Sequence, residues 1–222
     1  MNWNKLLSEK RVREVLGGKP SPKSPDDLRT EFERDYDRAV FSTPVRRLQD
    51  KAQVFPLEAI DGIRTRLTHS LEVSTVARDL AGQIFAALVS RGVVTPEDGK
   101  SFTTIAATCA LIHDVGNPPF GHAGEVAIQE WFRTSTGSAA LASIKSGAGD
   151  FTNFDGNAQT IRLITKLQVL ADQYGLNLTC GTLAAATKYL ATSCTISKPP
   201  HQMSKLGIFK SEAPLMEITT VR

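Results

Sequence analysis

The sequence predicts an all-α protein, and three observations carry that prediction. Apolar residues recur at spacings of three and four over several long segments, which is the period of a helix surface. Strictly alternating segments are scarce and are limited to a short stretch near 206–209. Stretches rich in Gly, Pro and Ser separate the periodic segments, so each break is typical of a loop between two helices.

Composition places the chain among globular proteins. Its 222 residues suffice for a hydrophobic core, and 41% hydrophobic and 22% charged residues are ordinary values. These values exclude a disordered chain, a collagen-like repeat and a small disulfide scaffold. The formal net charge of +3 fits an anionic ligand without demanding one, because no block of like charges is present.

Three further features bear on the compartment. The cysteines Cys109, Cys180 and Cys194 are widely spaced and form no CxxC motif, which favours a reducing compartment. The N-terminus has no apolar core of a signal peptide, and the longest apolar stretch, 102–112, is too short for a membrane span. We therefore expect a cytoplasmic protein without a membrane partner.

The N-terminal half is predicted to contain an arm and three helices. Residues 1–27 form a short helix and a flexible arm, and residues 28–222 form the core domain. Asp26 or Asp27 caps the first core helix, and Thr43-Pro44 begins a second. The third helix, 67–88, is amphipathic, and its expected buried stripe consists of Leu67, Leu71, Val73, Val76, Leu80 and Ile84.

The C-terminal half continues the helical pattern. Residues 102–114 are apolar on nearly all sides, so this helix is expected to be buried and to end near Gly116. Helices are also predicted over 122–132, 157–171 and 181–191. The segment 134–150 is expected to be a soft loop, and the tail 192–222 to be irregular.

His113 and Asp114 are the first candidates for chemistry. An adjacent His and Asp in a buried apolar helix is costly unless something pairs with them, and a divalent metal does so. Because neighbouring helical residues point about 100° apart, both can be ligands only at a helix end. His69, on the amphipathic helix, could join them if the helices cross there. From spacing alone, a metal site and an ordinary hydrogen-bonded histidine stay open as alternatives.

His122 and Glu125 are the second pair. Their spacing of three places them on one face at the start of a helix. A carboxylate beside an imidazole fixes its tautomer and raises its basicity, which suits a general acid or base. A surface ion pair is the alternative.

Longer motifs indicate a family. Residues 46–57, 64–73, 113–125 and 153–159 read RRLQDKAQVFPL, RTRLTHSLEV, HDVGNPPFGHAGE and NFDGNAQ. They resemble the deoxyguanosine triphosphate triphosphohydrolases, which belong to the HD-domain metal-dependent phosphohydrolases. The likeness extends through LNLTCGTLAAATKYL (176–190) and KLGIFKSE (205–212). It implies an HD-domain helical core and hydrolysis of dGTP or another dNTP to the deoxynucleoside and tripolyphosphate.

The resemblance also implies roles for individual residues. His69, His113 and Asp114 would hold Mn²⁺, Mg²⁺ or iron, and His122 with Glu125 would be the catalytic acid or base. Arg66 would bind phosphate. The other implied substrate contacts are Gln53, Val54, Arg46 or Arg47, Lys188, Tyr189 and Lys205. A homo-oligomer and binding of single-stranded DNA are further implied partners.

One departure from the family pattern leaves a second hypothesis open. The resemblance implies a fourth metal ligand, an Asp on a helix after 205–212, but the one Asp after the NFDGNAQ motif, Asp172, precedes Lys188. The chain is therefore expected to be a shortened form with little or no activity by itself. The alternatives are a catalytically inactive nucleotide-binding or regulatory fragment and a different HD hydrolase, such as a nucleotidase or phosphodiesterase.

Overall fold

The structure is a computed structural model that describes residues 3–53, 62–144, 146–168, 173–196 and 205–221. Over these residues it is all-α, as predicted, and the only extended pairings there are two isolated bridges, Arg11 with Thr179 and Ala52 with Thr65. Within the same ranges, no helix has both the length and the apolar composition needed to cross a bilayer.

Twelve α-helices are present in the described residues, in the following order. They are α1 (Trp3–Leu6), α2 (Val12–Val15), α3 (Glu31–Val40), α4 (Thr43–Arg46), α5 (Arg66–Ser90), α6 (Gly99–Ile112), α7 (His122–Arg133), α8 (Ser135–Leu141), α9 (Ala148–Thr152), α10 (Gly156–Arg162), α11 (Cys180–Ala186) and α12 (Ala213–Val221). A 3₁₀ turn, Arg47–Asp50, follows α4, and a π-helical turn, Leu163–Leu167, extends α10.

Helix α6 lies at the centre of the fold. It packs along the length of α5 and also against α3 and α11. Its residues Ile105, Ala107, Leu111 and Ile112 are buried, so the predicted burial of this helix is confirmed. Because α6 ends at Ile112, the chain enters a turn at His113, while Asp114, Val115 and Gly116 stay buried.

The burial pattern of α5 corrects the predicted amphipathic stripe. Leu71, Val76, Leu80 and Ile84 are 45–57% exposed. The face against α6 instead carries small side chains such as Ser70, Ser74 and Ala81. These small residues let the two helices approach closely, and the Ser74 hydroxyl donates to the Ala107 carbonyl at 2.9 Å. These four apolar residues therefore form an outer stripe, whereas Leu67 packs against the main core and Val73 is half-buried.

The start of α3 also differs from the predicted cap. Its N-cap is Thr30, whose hydroxyl accepts from the Glu33 amide at 3.1 Å while the Glu33 carboxylate accepts from the Thr30 amide at 2.8 Å. This capping box satisfies two amides of the first turn. Asp27 instead pairs with Arg29, and Leu28 is exposed.

The segment 134–150, predicted to be a loop, contains α8 and α9. The Thr134 hydroxyl caps α8 by accepting from the Gly137 amide at 3.1 Å. Gly137 itself lies so close to the backbone of Trp131 that a side chain would collide. The run of small residues was therefore mistaken for a loop because local composition does not report this close packing.

The predictions for the C-terminal segments were partly wrong. Helix α12 lies in the tail that was expected to be irregular, and its Met216 is buried in the main core. Helix α11 ends at Ala186, earlier than predicted, and residues 206–209 are irregular rather than a strand. The helix predicted over 157–171 is described only as far as the π turn, since 169–171 lie outside the described residues.

The N-terminal region is anchored by Arg11, which is fully buried. Its guanidinium donates to Glu31 at 2.6 Å, to Asp35 at 2.7 Å and to the Asn177 carbonyl at 2.6 Å. The division into an arm (1–27) and a core (28–222) stays a prediction. The contacts of Arg11 nevertheless tie the first helices to α3 and to the segment that precedes α11.

Candidate active site

Three metal-binding side chains converge where α5 meets the end of α6. His69 lies on the first turns of α5, His113 follows the last residue of α6, and Asp114 lies in the next turn. One ligand atom from each lies within 4.8 Å of the others. The imidazole centroids are 5.3 Å apart and the rings are inclined by 68°. The helix end predicted here lets two adjacent residues face the same point.

The histidines are oriented as ligands. The Nδ1 atom of His113 lies 2.6 Å from the Ala110 carbonyl, which can only accept, so Nδ1 is the donor and Nε2 is the nitrogen that a metal would take. Nε2 in turn lies 3.3 Å from Oδ1 of Asp114. Burial, and next the neighbouring His113, lower the pKa of His69, which favours the neutral imidazole that binds metals.

Asp114 is a buried carboxylate with a donor on each oxygen. Oδ1 accepts from the Asn117 amide at 2.6 Å, and Oδ2 accepts from the Arg66 guanidinium at 2.7 Å. Two imidazoles and a carboxylate form a donor set that Mn²⁺, Mg²⁺ and iron accept. These residues therefore fit a divalent cation, and the surrounding hydrogen bonds fix the carboxylate that would hold it.

Arg66 connects this cluster to the start of α7. Its Nη1 binds Asp114, while its Nη2 lies close to Gly121, where an added Cβ would come within 2.9 Å. Gly121 has φ +57°, a conformation that glycine adopts readily. The residue after Gly121 is His122, so the guanidinium connects the metal cluster to the backbone at the start of α7.

His122 and Glu125 form the contact that their spacing predicts. Nδ1 of His122 lies 2.7 Å from Oε2 of Glu125. Glu125 is buried, and its Oε1 accepts from the Gly156 amide at 2.8 Å, whereas the His122 side chain is 78% exposed. The backbone at Gly156 thus fixes the glutamate, and the glutamate holds Nδ1 of an exposed imidazole whose other nitrogen is Nε2.

Sequence reasoning missed the residues that hold the site together. Asn117 bonds Asp114, and a side chain at Gly156 would collide with the Asn117 amide oxygen and lie 2.9 Å from Glu125. Asp155 caps α10 through the Asn157 amide at 2.8 Å. Burial raises the pKa of Asp155, and the charge of Glu125 adds to that effect. The NFDGNAQ segment, which carries Asp155 and Gly156, was the available signal.

The remaining predicted substrate contacts do not gather at the metal cluster as the three candidate ligands do. Lys205 lies close enough to stabilise the charge of Asp155, and the Lys188 ammonium lies 5.4 Å from the centroid of the Tyr189 ring. In the part of the chain that the structure describes, no hydrogen bond or ion pair joins Lys188, Tyr189 or Arg46 to the metal cluster. Gln53 is half-buried, and Val54 lies outside the described residues.

Comparison with known families agrees with this geometry. Residues 66–164 match the family model described as the HD domain, and this span contains the three candidate ligands together with His122 and Glu125. The fold and the site therefore define an HD-domain protein of the metal-dependent phosphohydrolase class.

Relatives narrow this assignment. The chain is 44% identical to a deoxyguanosinetriphosphate triphosphohydrolase-like protein of Listeria monocytogenes, over 99% of the chain and 49% of the relative. A protein of Synechocystis sp. with the same description is 42% identical, over 97% of the chain and 50% of the relative. The deoxyguanosinetriphosphate triphosphohydrolase of Enterobacter sp. is 33% identical, over 96% of the chain and 47% of the relative. The likeness to these relatives runs along almost the whole chain, which spans about half the length of the curated relatives it matches.

Proposed function

We propose that this chain carries the catalytic centre of a dNTP triphosphohydrolase that converts dGTP and water to deoxyguanosine and tripolyphosphate. Water attacks the α-phosphorus, the bond from phosphorus to the 5′-oxygen breaks, and a proton reaches the departing 5′-oxygen. The names of the relatives support dGTP as the substrate. The site itself supports phosphate ester hydrolysis.

The observation that carries the proposal is that Arg66 joins Asp114 to the backbone at Gly121, the residue before His122. The cation-binding cluster and a guanidinium are therefore in contact, and the imidazole held by a carboxylate begins at the next residue along the chain. When bound, a divalent cation neutralises phosphate charge and polarises a phosphoryl oxygen. Arg66 would donate hydrogen bonds to a phosphate oxygen, for which its planar fork is well suited.

His122 would move the proton. Glu125 holds its Nδ1, so Nε2 is the atom that faces substrate. An imidazole with a carboxylate partner can accept a proton from water and return one to the 5′-oxygen. The buried anchor of Glu125 on Gly156 keeps the ring in one orientation while the reaction proceeds.

A second candidate function is a nucleotide-binding or regulatory role without turnover. The observation in its favour is that the cluster within the described residues has three protein ligands. Such a protein would bind Mn²⁺ and dGTP and would release no product. The experiment below separates the two candidates.

The experiment is product analysis with dGTP labelled at the α-phosphorus, in the presence of Mn²⁺, because label is detected even at low turnover. The enzyme hypothesis requires the label to appear in tripolyphosphate at a rate above that of His122→Ala. Label in dGMP would show that the bond from the α-phosphorus to the 5′-oxygen stays intact, and it would overturn the proposed release of deoxyguanosine. If the wild-type chain releases no more labelled product than His122→Ala does, and yet binds dGTP saturably, the regulatory role is favoured.

A further inference from the structure

A cavity of about 320 Å³ lies beside the metal cluster but is separate from it. It is bounded by α4 with the 3₁₀ turn that follows it, by residues 115–119, and by α10 with its π turn. None of the three candidate metal ligands lines it, and neither does His122. Its volume lies at the lower end of the range of small-molecule sites.

The charge on the cavity wall is entirely positive. Arg47 and Lys51 line it, and no Asp or Glu is among its lining residues, all of which the structure describes. Arg47 is exposed and forms no ion pair within the described part of the chain. The Lys51 ammonium donates to the Asn117 carbonyl at 3.0 Å, a neutral partner.

These cations are not neutralised by the protein around them. Burial, and next the charges of Arg47 and Arg66, lower the pKa of Lys51, while Asp114 is the acid that opposes them. Asp114 is already paired with Arg66 at 2.7 Å. A bound anion would relieve this repulsion, and such uncompensated clusters are typical of binding sites.

The rest of the wall is mostly apolar. Phe154, Leu163 and Pro44 line it together with Pro118 and Pro119. The Gln159 and Gln168 side chains add neutral polar groups. A site with two cations at one side and an aromatic and aliphatic wall selects a ligand with a charged group on an apolar body.

We infer that this cavity binds a small organic phosphate: an apolar or ring-shaped body whose single phosphate group is held by Arg47 and Lys51. Both side chains donate charge-assisted hydrogen bonds to phosphate oxygens. The site requires no divalent cation, because the protein itself supplies the positive charge. It is therefore distinct from the cluster of His69, His113 and Asp114.

The test is calorimetry with phenyl phosphate in the presence of EDTA. Phenyl phosphate binds saturably to the wild-type chain, and inorganic phosphate, which lacks the ring, binds at least several-fold more weakly. The double variant Arg47→Gln/Lys51→Met weakens phenyl phosphate binding at least tenfold, the value of one charge-assisted contact. Arg91→Gln, which removes an exposed cation outside the cavity, leaves the affinity unchanged.

Two further variants keep the inference falsifiable if the double variant folds poorly. Lys51→Arg preserves the charge and retains binding. Thr43→Trp fills the mouth of the cavity with both cations intact, so phenyl phosphate binding is lost while inorganic phosphate still binds. Thermal unfolding checks that each variant is folded.

Three results would overturn the inference. They are the absence of saturable phenyl phosphate binding, unchanged affinity in the double variant or in Thr43→Trp, and a requirement for Mn²⁺, which would place the ligand in the metal centre. Because none of these measurements, with EDTA or with added Mn²⁺, uses dGTP, failure of the proposed dGTP hydrolysis leaves their outcome unaffected.

Discussion

The Nη1 atom of Arg66 lies 2.7 Å from Oδ2 of Asp114, and both side chains are nearly buried. The guanidinium thus neutralises a carboxylate that also faces His69 and His113. A divalent cation at the cluster would supply the same neutralisation. Arg66 is therefore expected to stabilise the fold most strongly when no metal is bound, and to be released toward phosphate when metal is present.

The first prediction concerns Arg66→Gln. Without divalent cations, this change leaves a buried carboxylate without its counter-charge and lowers the free energy of unfolding by about 3 kcal/mol. Mn²⁺ should restore part of that loss, because it supplies the missing positive charge. Denaturant unfolding in EDTA and in Mn²⁺ measures both values.

A matched control is available on the same segment. Arg64 pairs with Glu72 at 2.9 Å, but both side chains are more than half exposed. Arg64→Gln should cost less than about 1 kcal/mol. Equal losses for the two variants in EDTA would show that the Arg66–Asp114 pair has no special part in stability.

The second prediction concerns His122. Because this imidazole is proposed to move the proton, His122→Ala should lower turnover by about 10²- to 10⁴-fold. Glu125→Gln should also lower it, since the glutamine leaves the ring less basic. Both variants should bind Mn²⁺ as the wild type does. Loss of Mn²⁺ binding in His122→Ala would instead make this histidine a ligand.

The third prediction concerns the thiols. Burial raises the pKa of Cys109 to about 12 and that of Cys180 to about 11, whereas Cys194 is exposed. At pH 8 the thiolate fraction of Cys109 and Cys180 is about 10⁻³ or less, so both react slowly. A colorimetric thiol reagent should modify one thiol rapidly, and Cys194→Ser should abolish that phase. Two or more rapid equivalents in the native protein would contradict this assignment.

The fourth prediction concerns Val76, Leu80 and Ile84, three residues of the outer stripe of α5. These neighbouring apolar side chains favour association between copies of the chain, in line with the homo-oligomer that the resemblance implies. Leu80→Glu with Ile84→Glu should lower the mass measured by light scattering. The control Leu28→Glu, at an isolated residue that is 93% exposed, should leave it unchanged. A wild-type monomer at all concentrations would contradict the prediction.

Much of the fold and the cluster follows from local pattern. The helix end at His113 could be predicted because Gly116 and the two prolines that follow Asn117 cannot continue a helix, and the contact of His122 with Glu125 follows from their spacing of three. The all-α class is equally visible, since the periodic segments are long.

The errors arise where contacts distant in sequence decide the outcome. The stripe of α5 was assigned to the core because apolar residues recur along it, yet Ser70 and Ser74 face α6, since small side chains permit closer packing. Likewise, Arg66 reaches Asp114 only after α5 and the end of α6 have packed together. Single-segment patterns carry no such information.

The most direct test of the account is a calorimetric titration with Mn²⁺. The wild-type chain should bind one Mn²⁺ at the cluster, and the double variant His113→Ala/Asp114→Ala should lose that binding, while His122→Ala retains it. Metal affinity depends on the number and charge of the ligands, so removal of two of them should abolish the site. Binding that is unaffected by the double change would contradict the proposed metal centre and the catalytic mechanism built on it.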